Sequence, residues 1–110
     1  MLSGNNLAIA KDVTVSSGNE LLKEIKNATE PTKIQFANDI GISGLNIIPV
    51  GGNAIEIDGE GKSLINEKDS RFTFVKNSSL ALKNLKYVGK NASINVDNAN
   101  ATISLENVDR

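Results

Sequence analysis

The sequence predicts an all-β solenoid of roughly four stacked coils with an amphipathic helix over the first coil, on the strength of three observations. A seven-residue block, Ser79-Leu80-Ala81-Leu82-Lys83-Asn84-Leu85, returns 23 residues later as Thr102-Ile103-Ser104-Leu105-Glu106-Asn107-Val108. Each copy runs small, apolar, small, apolar, charged, Asn, apolar, which puts alternate side chains on one strand face. Upstream, the short alternating pairs Ile34/Phe36, Ile55/Ile57, Phe72/Phe74 and Ile94/Val96 follow one another at 21, 17 and 22 residues. Near the start, Ser17-Gly18-Asn19-Glu20 has the spacing of a capping box before a helix-periodic run.

Taken in order, residues 1–11 read as a leader or expression segment, 12–32 as an N-terminal cap of strand and helix, and 33–110 as coils. Asp12-Val13-Thr14-Val15 alternates like a strand. After it, Leu21, Leu22, Ile25 and Ala28 share one helical face, with Lys23, Glu24 and Lys26 on the other. Glu30-Pro31 is expected to end the helix, because the residue before proline is pushed out of the α region. Such a helix would cover the open apolar end and the strand edges of a first coil.

In the coils, the four alternating pairs predict one ladder, and Leu80 and Ile103 a second, with Ile47-Ile48 and Leu64-Ile65 as its earlier members. Ile34, Phe36, Ile55, Ile57, Phe72, Phe74, Leu80, Leu82, Ile94, Val96, Ile103 and Leu105 are expected to point inward. The stretches Asn38 to Gly44, Gly59-Glu60-Gly61, Lys76-Asn77-Ser78 and Asp97-Asn98 read as corners, since Gly and Asn tolerate a left-handed backbone. Asn84 and Asn107 fall at equivalent corners, where their amides could bond along the stack. The block ends at Asn107-Val108-Asp109-Arg110 with no Pro, polar helix or Gly-rich terminator. This reads as the first part of a longer solenoid, whose open last coil is expected to self-associate.

Composition narrows the chemistry. A net charge of −1 offers no global field for nucleic acid or an anionic membrane. No run approaches membrane-spanning length. With neither Cys nor His, disulfides, thiolate metal sites and the commonest general base are all excluded. If Ile57 and Val96 are equivalent, the column beside them reads Ala37, Asp58, Val75, Asp97, which sets Asp58 and Asp97 two coils and about 9 to 10 Å apart. That is too far to share one calcium ion. Asp58, standing before Gly59, reads as a turn residue. Glu67-Lys68-Asp69-Ser70-Arg71 reads as a solvated loop, and Tyr87 among Lys83, Lys86 and Lys90 as a packing residue or a contact for an acidic glycan. Catalytic, cofactor-binding and metal-ligating residues are therefore all expected to be none, and no cofactor is expected.

The order strand, Ser-x-x-Glu-Leu-Leu helix, Pro31-Thr32-Lys33-Ile34-Gln35-Phe36, then Ile55-Glu56-Ile57-Asp58-Gly59-Glu60-Gly61-Lys62-Ser63-Leu64-Ile65 resembles the start of pectate-lyase-like proteins. Asp-Gly-x-Gly is its most specific element, and the resemblance runs from Asp12 to Arg110. It implies a right-handed parallel β-helix fragment, and it is nearest to bacterial adhesive domains of that superfamily, which lack a clear lyase site. The implied function is a non-enzymatic surface or secreted adhesin segment that presents a rigid face to a glycan, host or cell-wall ligand, located outside the cell. The competing expectations are the N-terminal portion of a polysaccharide lyase or glycoside hydrolase whose active coils lie beyond residue 110, and a structural stalk.

Overall fold

The computed structural model describes residues 9–44, 46–47, 54–66, 71–73, 79–89, 93–95 and 102–109. They form one helix, α1 (Gly18–Lys26), and ten strands: β1 (Lys11–Val15), β2 (Thr32–Phe36), β3 (Ile40–Gly41), β4 (Asn46–Ile47), β5 (Ala54–Asp58), β6 (Ser63–Ile65), β7 (Arg71–Thr73), β8 (Ser79–Val88), β9 (Ser93–Asn95) and β10 (Thr102–Asp109). The class is all-β with parallel pairing, and α1 is the one helix among the described residues.

Alternation explains the main ladder. In β2 the pattern from Thr32 to Phe36 is buried, half-buried, buried, half-buried, buried, and β5 repeats it with Ile55 and Ile57 inside. Strands β1, β2, β5, β8 and β10 lie side by side in parallel register, so Val13, Ile34, Ile57, Leu82 and Leu105 make one column. Thr32, Ile55, Leu80 and Ile103 make the next. Register partners lie between 21 residues apart (Val13 and Ile34) and 25 apart (Ile57 and Leu82). Ile34, Ile57 and Leu82 are fully buried. Each is worth about 1.5 to 3 kcal/mol over its exposed state.

Two further ladders accompany it. Ile40, Leu64 and Tyr87 align in β3, β6 and the second half of β8, and Ile47, Phe72 and Ile94 align in a separate sheet of β4, β7 and β9. This corrects the expected order. Leu80/Leu82, not Phe72/Phe74, succeed Ile55/Ile57, and Phe72 follows Ile47 instead. Leu64 belongs with Tyr87 and Ile47 with Phe72, so neither Leu64 nor Ile47 shares a ladder with Leu80 and Ile103. A two-residue alternation reports which face a side chain takes but not which ladder it joins. The uneven 17-residue interval between Ile55 and Phe72 marks the step across ladders. Phe74 and Val96 lie outside the described residues. Leu105 holds its place in the inward column yet is 52% exposed, because β10 has a partner on one side only among the described strands.

The cap departs from expectation in two details. Ser17 is the N-cap, and its hydroxyl accepts from the Glu20 amide at 3.2 Å. The Glu20 carboxylate, however, reaches one residue further back, to the Ser16 amide (3.2 Å) and hydroxyl (2.6 Å). Leu21, Ile25 and Ala28 are buried and Leu22 packs against them, as helical periodicity requires. The helix stops at Lys26 with Asn27 as C-cap, ahead of Glu30-Pro31. Pro31 is already committed elsewhere, since its carbonyl accepts from the amides of Ala10 (2.9 Å) and Lys11 (3.1 Å) at the start of β1. Lys11 also pairs with Glu24 at 3.1 Å, fastening the helix to the strand.

Candidate functional site

The corner between the two ladders of the larger sheet is the most structured polar feature among the described residues. Asp58 ends β5, and its carboxylate accepts from the Glu60 amide at 3.0 Å, the local bond of a turn-forming aspartate. Gly59 then passes so close to β8 that a Cβ on it would lie 2.4 Å from the Leu85 Cβ and 2.9 Å from the Asn84 carbonyl oxygen. Glu60 and Gly61 both take positive φ, 53° and 81°. The Gly59 amide donates to Lys83 O and the Gly61 amide to Asn84 O, each at 2.8 Å. The two glycines of Asp-Gly-x-Gly thus do different work, Gly59 by allowing close approach and Gly61 by its backbone conformation.

Where β5 and β6 are joined by a four-residue turn, β8 makes the same corner with one residue. Asn84 has φ 53° and lets β8 bend from the first ladder into the second, and Asn107 does the same in β10 with φ 54°. Asn tolerates this conformation better than other residues that carry a side chain. Asn107 Nδ2 donates to Asn84 Oδ1 at 3.0 Å, and Asn84 Nδ2 donates to Asp58 Oδ1 at 3.2 Å. The expected ladder of Asn84 and Asn107 therefore exists, and Asp58 heads it. Beside it is a shallow depression of about 220 Å³ lined by Gly61, Asn84, Leu85, Lys86, Asn107 and Asp109. That is smaller than the usual pocket of about 300 to 1,000 Å³ for an organic ligand.

The outward face of the main ladder carries two columns of mostly polar residues. One is Asp12, Lys33, Glu56, Ala81 and Ser104, and the other is Thr14, Gln35, Asp58, Lys83 and Glu106. The second column replaces the expected Ala37, Asp58, Val75, Asp97. Val75 and Asp97 lie outside the described residues, and the neighbour of Asp58 in the next rung is Lys83. Lys83 reaches the Glu56 carboxylate at 3.0 Å and Glu106 at 3.8 Å. Its ammonium is held above the usual lysine value, first by the hydrogen bond to Glu56 and further by the charges of Glu56, Glu106 and Asp58, with burial opposing. Gln35 Nε2 donates to the Glu60 carboxylate at 2.9 Å, tying the face to the corner.

Lys83 is the residue that sequence reasoning undervalued. Read along the chain it sits near Tyr87, but register places it on the opposite arm of β8, among carboxylates from β5 and β10. Tyr87 is buried at 6% exposure, and its hydroxyl accepts from Asn66 Nδ2 at 3.2 Å, so it packs and does not present a ring to solvent. Lys90 and residues 67–70 lie outside the described residues. Among the described residues no group of three or more His, Cys, Asp or Glu side chains could hold a metal ion, and no helix is long and apolar enough to cross a membrane.

The outward face presents charged and hydrogen-bonding groups held at the spacing of the paired strands. No family model, curated protein or solved structure matches this chain.

Proposed function

We propose that this chain is a segment of a right-handed parallel β-helix of the pectate-lyase-like kind, acting without catalysis in a bacterial surface or secreted adhesin. The outward face of β1, β2, β5, β8 and β10 presents a rigid polar array to a cell-wall or host glycan. One observation carries this reading: two columns of mixed charge and short polar groups, one of them interrupted at Ala81, on hydrogen-bonded parallel rungs. Parallel neighbours stand about 4.8 Å apart, close to the rise of one sugar ring, so successive rungs can meet successive sugars without rearranging. The coil reading itself is supported by parallel register at 21 to 25 residues across three ladders. Short corners at Asn84 and Asn107 support it too. Two carboxylates at the centre of this face are engaged, Glu56 by Lys83 and Asp58 by the Glu60 amide and Asn84, which suits a fixed surface better than proton transfer.

The test is solid-phase binding of the whole chain to polygalacturonate, hyaluronate, peptidoglycan and a neutral glucan, with and without calcium. Saturable binding to at least one of them, lost on Lys33→Glu, is expected. Lys33 lies half-buried on the outward face, so this change should leave the core intact. Absence of saturable binding throughout the panel, or release of unsaturated sugars, would overturn the adhesive reading in favour of the stalk or the lyase.

A further inference from the structure

Two oppositely charged side chains stand side by side on the outward face of β1 and β2 and do not pair. Asp12 and Lys33 are register partners on adjacent parallel strands, Asp12 exposed and Lys33 half-buried. Among the described residues, neither side chain makes an ion pair or a hydrogen bond. The charges around them are already engaged. Lys11, the other cation of β1, pairs with Glu24 of the helix at 3.1 Å. Glu56, the register neighbour of Lys33 on its other side, is held by Lys83 at 3.0 Å. The next outward partners along the two strands are Thr14 and Gln35, and Gln35 is anchored through its amide to Glu60 at 2.9 Å. One anion and one cation are thus left uncommitted at the strand spacing of about 4.8 Å.

We propose that Asp12 and Lys33 form a recognition site for a glycan that carries amino and acid groups together, its amine meeting Asp12 and its acid meeting Lys33. This rests on the reading that the outward face takes a glycan, and it names the chemical class of that glycan. Charge complementarity decides the class. The two outward columns set four carboxylates (Asp12, Glu56, Asp58 and Glu106) against two ammonium groups (Lys33 and Lys83), so the face as a whole repels a polyanion. A polycation is drawn to Asp12 but brings its own ammonium groups against Lys33, which no neighbouring carboxylate neutralises. A neutral glycan gains neither contact. A chain with both groups on one or two successive sugars satisfies both positions. It has no existing Asp12–Lys33 pair to break, so neither contact is offset by a lost one. Among polygalacturonate, hyaluronate, peptidoglycan and a neutral glucan, only peptidoglycan carries both kinds of group.

The probes are four polymers on one cellulose-type backbone: hydroxyethyl cellulose (neutral), carboxymethyl cellulose (acid groups only), chitosan (amino groups only) and O-carboxymethyl chitosan (both). Each is immobilised and titrated with the whole chain, at a mildly acid pH that keeps amines charged and carboxylates ionised. O-carboxymethyl chitosan should bind tightest, by about two- to fivefold over either singly charged polymer, the effect of one exposed charge contact. High salt should erase that margin. Exchanging single charges gives the sharper readout. Lys33→Gln should shift the order toward chitosan, Asp12→Asn should shift it toward carboxymethyl cellulose, and Lys33→Arg should keep the parent order. All three changes are on the outward face, so their melting temperatures should match the parent. Chitosan or carboxymethyl cellulose binding the parent as tightly as the doubly charged polymer would overturn the assignment. So would an order that neither Lys33→Gln nor Asp12→Asn moves. In both cases, saturable binding of some other glycan leaves the adhesive reading standing. Absence of binding to all four polymers and to peptidoglycan removes this site, and a blank across the whole glycan panel removes the adhesive reading with it.

Discussion

Replacing Asn84 separates the two things it does. Its backbone is left-handed, at φ 53°, and its side chain links Asp58 (3.2 Å) to Asn107 (3.0 Å). In Asn84→Gly the conformation is free but both bonds are lost. The bond to a carboxylate is worth about 1.5 to 3 kcal/mol when well shielded and the amide–amide bond about 0.5 to 1.5. The site is only partly buried, so a total of about 1 to 3 kcal/mol is expected. Asn84→Ala loses the same bonds and must also hold a left-handed backbone with a Cβ, adding about 1 kcal/mol. Alanine should therefore cost about 2 to 4 kcal/mol, lowering the melting temperature by roughly 10 to 20 °C. Urea unfolding of both variants, followed by far-UV circular dichroism, gives the comparison, with unchanged slope as the check on two-state behaviour. Equal costs for Gly and Ala would show that the corner does not constrain the backbone. A cost below about 0.5 kcal/mol for Gly would remove the ladder from the list of stabilising interactions.

The remaining expectations follow from the same geometry. Gly59→Ala should destabilise by about 1 to 3 kcal/mol because Leu85 and the Asn84 carbonyl occupy the new Cβ position, while Gly61→Ala, with open space around it, should cost only its backbone strain of about 1 kcal/mol; urea midpoints in the reverse order would refute this. Leu82→Ala should cost about 2 to 5 kcal/mol, read from the same melts, because Leu82 is fully buried. The Glu20 carboxyl is held below its ordinary value of 4.5, first by the Ser16 hydroxyl and amide. A depressed folded value contributes stability that is present above the ordinary value and lost as pH falls below it. Melts of Glu20→Gln between pH 7 and pH 3 should therefore show a smaller acid loss than the parent, and an identical acid limb would count against the contact. For Lys83, whose folded value is raised, the sign reverses: its contribution is complete below the ordinary lysine value of 10.5 and lost above it, so Lys83→Met should flatten the alkaline limb of the melting curve.

What could be read from the sequence, and what could not, divides along physical lines. The repeated block was legible because β8 and β10 share one register through the corner, so equivalent residues recur with the same chemistry. The cap helix was legible because Leu21, Leu22, Ile25 and Ala28 obey a period that no strand shares. Ladder membership was not, since Phe72 and Leu80 both lie in short alternating runs and only pairing tells that Leu80 follows Ile55. Asp58 shows the deeper reason. Along the chain it is an aspartate before a glycine, and the turn that this implies is present. Its second role, orienting Asn84 and through it Asn107, depends on residues brought alongside from the next two rungs. Local turn chemistry is written in neighbouring letters, but the polarity of a hydrogen-bonded stack is set by the one member that cannot donate. Once register is known, that member dictates which atom the stack offers at its far end.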